Sequence, residues 1–229
     1  MKKTFHFIAS LFLWLFMSSF YMGATLIPEE HPALLQGKNN GIISLGYLPV
    51  SYLQLSGAYS PANGLGLKAN VSSSLTNAIF GLQLAPGYYK MLSDKMIIEA
   101  YGGVGYGHDY TINSETHYKG KYVSAHVSFD FGMVNLKRAH SEFAVGLKLL
   151  YQYYFDIYSE LGEGYRQNTN DGNSVLYNFS KVSLVPYFTY RFGWEHFRFG
   201  LHLSGCAFGQ KAFPKFPVNF MISLNYYFK

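Results

Sequence analysis

The side chains able to do chemistry in this chain fall into two sets. The first is Lys68, Glu99, His126, Asp130, Lys148, Arg191, Arg198 and His202, all inside segments whose residues alternate in character. The second is His108, Asp109, His117, Asp156 and Asp171, near the ends of such segments and in polar connections. A histidine within reach of a carboxylate could act as a general base held by an orienting acid. No sequence spacing links the second set, however, and it does not reproduce the motifs of omptin proteases or lipid-A-modifying enzymes. The expectation is therefore no catalytic residue and no cofactor. Metal binding is not expected either, because the eight histidines contain no pair at ligand spacing and the single Cys206 excludes a cysteine-based zinc site or an internal disulfide.

The first set takes its meaning from the elements that carry it. From Gly41 onward apolar residues alternate with polar or small ones, the period of strands with two unlike faces. At the carboxy-terminal end Val218, Phe220, Ile222, Leu224, Tyr226 and Phe228 share one face, and Asn219, Met221, Ser223, Asn225 and Tyr227 the other. Turn residues divide the chain into ten strands, at about 41–48, 51–60, 65–76, 78–91, 96–109, 120–133, 142–157, 176–193, 197–209 and 217–228. If Leu48-Pro49-Val50 only kinks a strand, eight is the alternative count. Short turns at Pro61-Ala62-Asn63-Gly64, Ser93-Asp94-Lys95 and Trp194-Glu195-His196 alternate with longer polar connections at 110–119, 158–175 and 210–216.

Alternation does not by itself say which face meets water. Lys68, Glu99, Asp130, Lys148, Lys181, Arg191 and Arg198 all fall on the polar face, which also carries Gly66, Gly81, Gly103, Gly105, Gly107, Gly146, Gly200, Ser124 and Ser128. Small residues suit the crowded inside of a narrow barrel. Tyr47, Tyr59, Tyr88, Tyr106, Tyr153, Phe192, Phe197 and Phe228 stand near strand ends on the apolar face, as in the girdles of a membrane barrel. Charged residues make up 14% of the chain, against about a quarter in a soluble domain, too few to coat a water-facing surface. The fold expected is all-β: a closed antiparallel up-and-down transmembrane β-barrel, with a soluble β protein as the fallback. Pro86 and Pro186 fall inside strands and are expected to mark bulges, since a closed barrel has no edge on which to place a missing donor.

The first 24 residues read as a secretory signal peptide: Lys2 and Lys3, then an apolar run from Phe5 to Met22. Residues 25–40 read as an extended periplasmic lead-in and 41–229 as the barrel. Removing the signal takes two units from the +5 formal charge, too mild a balance for a nucleic-acid partner.

The ending Asn225-Tyr226-Tyr227-Phe228-Lys229 resembles that of bacterial outer-membrane β-barrel proteins. The segments Leu53-Gln54-Leu55-Ser56-Gly57-Ala58-Tyr59-Ser60-Pro61 and Asn63-Gly64-Leu65-Gly66-Leu67-Lys68-Ala69-Asn70 are similar to a hairpin in function-unassigned barrels of Bacteroidota. The lead-in Ile27-Pro28 and Pro32-Ala33-Leu34-Leu35 resembles theirs too. The resemblance implies an outer-membrane location, lipid contact, and insertion by the barrel assembly machinery, which reads a terminal aromatic; here Phe228 is penultimate.

The inward set then reads as a paired polar network filling the lumen, because buried charge must be paired. Its excess of bases over acids leaves room for a small, weakly anion-preferring pore. The expected role is structural or surface-interacting, with loop 158–175 as the contact for an envelope or surface partner. A rim enzyme is the competing class.

Overall fold

The computed structural model describes residues 32–48, 52–74, 80–112, 116–136, 140–161, 173–176, 178–205 and 218–229. The signal-peptide segment, Asp171 and Cys206 lie outside them. Eleven strands are present: β1 Gly41–Leu48, β2 Tyr52–Ala62, β3 Leu65–Ser74, β4 Phe80–Ser93, β5 Met96–Ile112, β6 Thr116–Leu136, β7 Ser141–Leu161, β8 Asn173–Leu176, β9 Phe179–Gly193, β10 Phe197–Gly205 and β11 Val218–Phe228. Each pairs antiparallel with its neighbours, and β11 returns to β1 through Gly41↔Phe228 to Tyr47↔Ile222, closing the sheet on itself. β8 and β9 meet β7 in one register (Ile157↔Leu176, Tyr154↔Phe179), so they form a single interrupted stave. The barrel thus has ten staves, as the alternation predicts.

Turn chemistry sets the short end. Gly64, at φ 82°, supplies the left-handed residue between β2 and β3. Ser93 Oγ accepts the N–H groups of Lys95 and Met96 at 3.3 and 3.2 Å and so closes the β4–β5 turn.

The pleat is inverted relative to a soluble barrel. Among the described residues, 32 large apolar or aromatic side chains are each at least 37% exposed, while Arg191, Lys148, Glu142, Gln152 and Asn225 are fully buried. Leaving roughly 2,000 Å² of apolar surface in water would cost on the order of 50 kcal/mol at about 25 cal/mol per Å². A soluble monomer tolerates a few hundred Å² in one patch. In lipid the same surface costs nothing, and the closed ladder leaves no backbone edge to satisfy. Seven of the eight girdle aromatics are exposed; Phe228 is half-buried, 6.4 Å from both Tyr59 and Tyr226.

Two expectations need correction. Neither proline makes a bulge. Pro86 pairs in register with Leu67, and the β4–β5 ladder omits Ala85 and Pro86 but resumes in the same register at Gly87↔Tyr101. Pro186 pairs with Leu147, and the ladder to β10 stops one residue away at Ser204↔Tyr187, so its missing donor falls beyond the last pair. The bulges lie near the ends of staves instead, between Tyr59 and Ala62, Met91 and Ser93, Lys119 and Lys121, and Met133 and Leu136. Secondly, the connections expected at 110–119 and 158–175 are partly strand. Tyr110↔Lys119 to Ile112↔His117 and Tyr158↔Val175 to Glu160↔Asn173 continue the ladder. β6 and β7 reach 21 residues each, about twice what a tilted strand needs to cross lipid. The end of the lead-in has a further feature that the sequence did not show. Its residues 32–35 are buried: Ala33, Leu34 and Leu35 are 2–3% exposed and pack on Ile42, Ala58, Tyr89, Ile97, Val134 and Ala144.

Candidate functional site: the barrel lumen

Strand parity carries all eight residues of the lumen set inward, and each is buried. Near the short turns two charged clusters stand on opposite walls. In the first, Glu99 and Asp130 are direct cross-strand partners, an arrangement that repels two carboxylates. Lys68 on β3 answers both, with Nζ 3.1 Å from Asp130 Oδ2 and 3.9 Å from Glu99 Oε2. The ammonium also lies 3.6 Å from the centre of the Tyr101 ring, and the Tyr187 hydroxyl donates to Asp130.

The second cluster is built around Glu142. Its Oε2 accepts from Arg191 Nη1 at 3.3 Å and from the Tyr227 hydroxyl at 2.6 Å, while Oε1 is paired with Arg198 Nη1. The Arg198 guanidinium sits 4.1 Å from the Tyr227 ring centre. One carboxylate thus serves two arginines, and the phenol bridges them. Removing it would leave two buried cations without their acid, the costly case for a buried ion set.

Sequence reasoning missed Glu142 and the role of Tyr227. Glu142 is the second residue of β7, on the parity of Ala144 and Lys148, so its inward direction was readable. Its arginine partners are brought close only by closure of the ring.

The middle and loop-side lumen is different. Lys148 Nζ donates to Gln83 Oε1 at 3.1 Å; Lys181 is the cross-strand partner of Gln152. His202 bridges Thr189 Oγ1 at 2.9 Å and Ser223 Oγ at 2.7 Å. Among the described residues the three buried acids, Glu99, Asp130 and Glu142, all lie in the turn-side half, while Lys148 and Lys181 lie beyond them. Inward glycines make room for this packing. A Cβ at Gly103 would meet His126 Cε1 at 2.5 Å, and one at Gly105 would meet Ser124 Oγ at 2.6 Å.

The buried lead-in joins the two charged clusters. The N–H groups of Ala33 and Leu35 donate to Glu99 Oε2 and Oε1 at 3.0 and 2.9 Å, and the carbonyl of Pro32 accepts from Arg191 Nη2. Leu34, at φ 54°, turns both N–H groups to one side, the concave backbone geometry that cups an anion.

Two of the rim residues lie around Lys121, with His108 as its cross-strand partner and Asp156 as its ion-pair partner. His108 lies against Phe80, with ring centroids 6.1 Å apart, and Asp156 Oδ2 pairs with Lys121 Nζ at 2.9 Å on the exposed surface. Asp109 and His117 fall on the β5–β6 ladder, paired with Gly120 and Ile112. Among the described residues no group of three His, Cys, Asp or Glu is placed to hold a metal ion.

A closed barrel that is apolar outside and polar within is an integral membrane barrel, the architecture that outer-membrane barrels share. No family model and no curated protein matches the sequence. Among solved structures the chain is similar to the KdgM porin, at 10% identity and TM-score 0.40, covering 83% of this chain and 99% of that one. A KdgM porin in complex with disordered oligogalacturonate aligns over the same shares at 10% identity and TM-score 0.38. The CymD monoaromatic hydrocarbon channel aligns at 8% identity and TM-score 0.26, over 84% and 88% of the two chains. The membrane assignment rests on the geometry of the barrel itself rather than on these likenesses.

Proposed function

We propose that this protein is an outer-membrane barrel with a lumen closed at rest and a non-catalytic role in the envelope, structural or in surface contact. One observation carries the reading: the charged and amide side chains of the lumen, Lys148, Glu142, Arg191 and Gln152 among them, are inaccessible to water. An open pore keeps its charged lining wet, and ten strands leave little free cross-section once side chains fill it. The ion pair of Asp156 with Lys121, and the register that sets His108 opposite Lys121 but His117 opposite Ile112, support a non-catalytic rim.

Contact with an envelope or surface partner falls to the extended β5–β8 ladders and the 158–175 connection that they carry. Phe228, on the outward side of the last strand, is the aromatic that the barrel assembly machinery would read. Planar-bilayer recording in potassium chloride tests the closed lumen: purified, heat-modifiable protein gives no reproducible single-channel steps. Steady conductance from the wild-type chain would refute it. A weakly anion-preferring pore is the second reading, favoured by Lys148 and Lys181 lying beyond the three acids. Chloride-biased reversal potentials in the same recordings would establish it.

A further inference from the structure

We propose that residues 32–36 are a hinged strap seated in the barrel, and that unseating it opens the turn-side end of the lumen to ions and small polar solutes. The inference rests on the closed-lumen reading and adds what does the closing.

Four observations carry it. Among the described residues, the hydrogen bonds that fasten the strap come from side chains of the wall. Glu99 takes two of its N–H groups, Arg191 its Pro32 carbonyl, and Glu142 Oε1 the Gln36 amide at 3.5 Å. Regular backbone pairing begins after it, where Asn39 donates to the Ser60 carbonyl at 2.8 Å and Ser60 N–H to that of Asn40 at 2.9 Å. Between lies Gly37 at φ 157°, a residue type that accepts such backbone, and Lys38 N–H already donates to Asn63 Oδ1 at 3.0 Å, so a one-residue pivot precedes a fixed anchor.

The wall is also shaped to the strap. A Cβ at Gly132 would collide with the Leu34 side chain, and one at Gly66 would lie 3.0 Å from Leu35 Cδ1. Leucine at φ 54° is itself an uncommon and strained backbone state, kept here by the seat around it.

Finally, the strap divides two cavities. One of about 210 Å³ at the turn-side mouth is lined by Leu34, Leu35, Asn135 and His196. The other, about 20 Å³, lies deeper among Pro32, Ser44, Lys68 and Asn70. Ala33 and Ile42 line both. Ile42 belongs to β1 and stays with the wall, whereas Ala33 belongs to the strap; its departure joins the two spaces.

The test uses the full chain. Gly132→Leu places wall carbon where Leu34 sits, Glu99→Gln weakens the main-chain fastening, and Gly205→Ala, with nothing within 4 Å of its added carbon, is the control. Each is recorded in planar bilayers in potassium chloride. A Leu34→Cys reporter in a Cys206→Ser background is probed with a charged maleimide. Expected are silent recordings throughout, because Lys148 and Gln152 still fill the lumen beyond the strap, and reporter labelling at least about tenfold faster when Gly132→Leu or Glu99→Gln is added but not Gly205→Ala, as befits loss of charge-assisted hydrogen bonds. Heat-modifiable variants that stay silent, with the reporter still protected, would overturn the strap and leave the closed lumen standing. If Gly132→Leu does not fold, the Glu99→Gln labelling decides alone. A wild type that conducts while its reporter is protected would overturn both.

Discussion

The two halves of the lumen solve the same problem with different chemistry. The turn-side half holds three acids and three bases, Glu99, Asp130 and Glu142 with Lys68, Arg191 and Arg198, and a length of main chain lies across them. Beyond it the described lining relies on hydroxyls, amides and imidazoles, with Lys148 and Lys181 as its bases. Buried ions tie a specific geometry together but leave a large penalty when one partner is removed. Hydroxyl and amide contacts are each worth about 1 kcal/mol net and fail gently. The turn-side half should therefore be the brittle one.

The sharpest way to break that comparison is Glu142→Ala, which leaves Arg191 and Arg198 buried without their shared acid. A loss of about 3–5 kcal/mol is expected, measured as a lower urea midpoint for refolding into lipid vesicles. An unchanged midpoint would mean that the two halves do not differ. Next comes a test of the outer wall against both: Phe129→Arg, at a position 63% exposed, should lose about 2–4 kcal/mol in the same assay if that position lies near mid-bilayer. In the gentle half, Thr189→Val removes one hydroxyl contact to His202 and should cost about 1–2 kcal/mol; a loss as large as that of Glu142→Ala would erase the contrast. Smallest is Lys121→Ala, which breaks an ion pair about half exposed on both sides and should change stability by less than about 1 kcal/mol.

Much of this was legible in the sequence, for physical reasons that also explain the rest. Period two identifies both strand and face, so the ten staves and the inward direction of Lys68, Glu99, Asp130 and Arg191 follow from parity alone. Parity says nothing about which strands meet across the ring, so the sharing of Glu142 by Arg191, Arg198 and Tyr227 was not readable. The ladders past Asp109 and Tyr158 were read as loops because a strand outside the bilayer no longer needs an apolar face. Pro86 was misjudged differently. A closed sheet can forgo single pairs and keep its register, so a missing donor does not force an extra residue. The strap was hidden by its brevity. Pro32-Ala33-Leu34-Leu35 is a small apolar island with neither period, and only its isolation in a polar lead-in marks it as something that wants burial.

The attachment of the strap has a mechanical consequence. It continues directly into β1, one side of the seam that β11 closes, yet it is gripped by Glu99 on β5 and Arg191 on β9. Tension applied at Pro32 is therefore borne first by these far staves and by the pivot at Gly37, and reaches the β1–β11 seam only once they yield. The strap acts as a tie rod between walls, shielding the joint where the sheet is sewn shut.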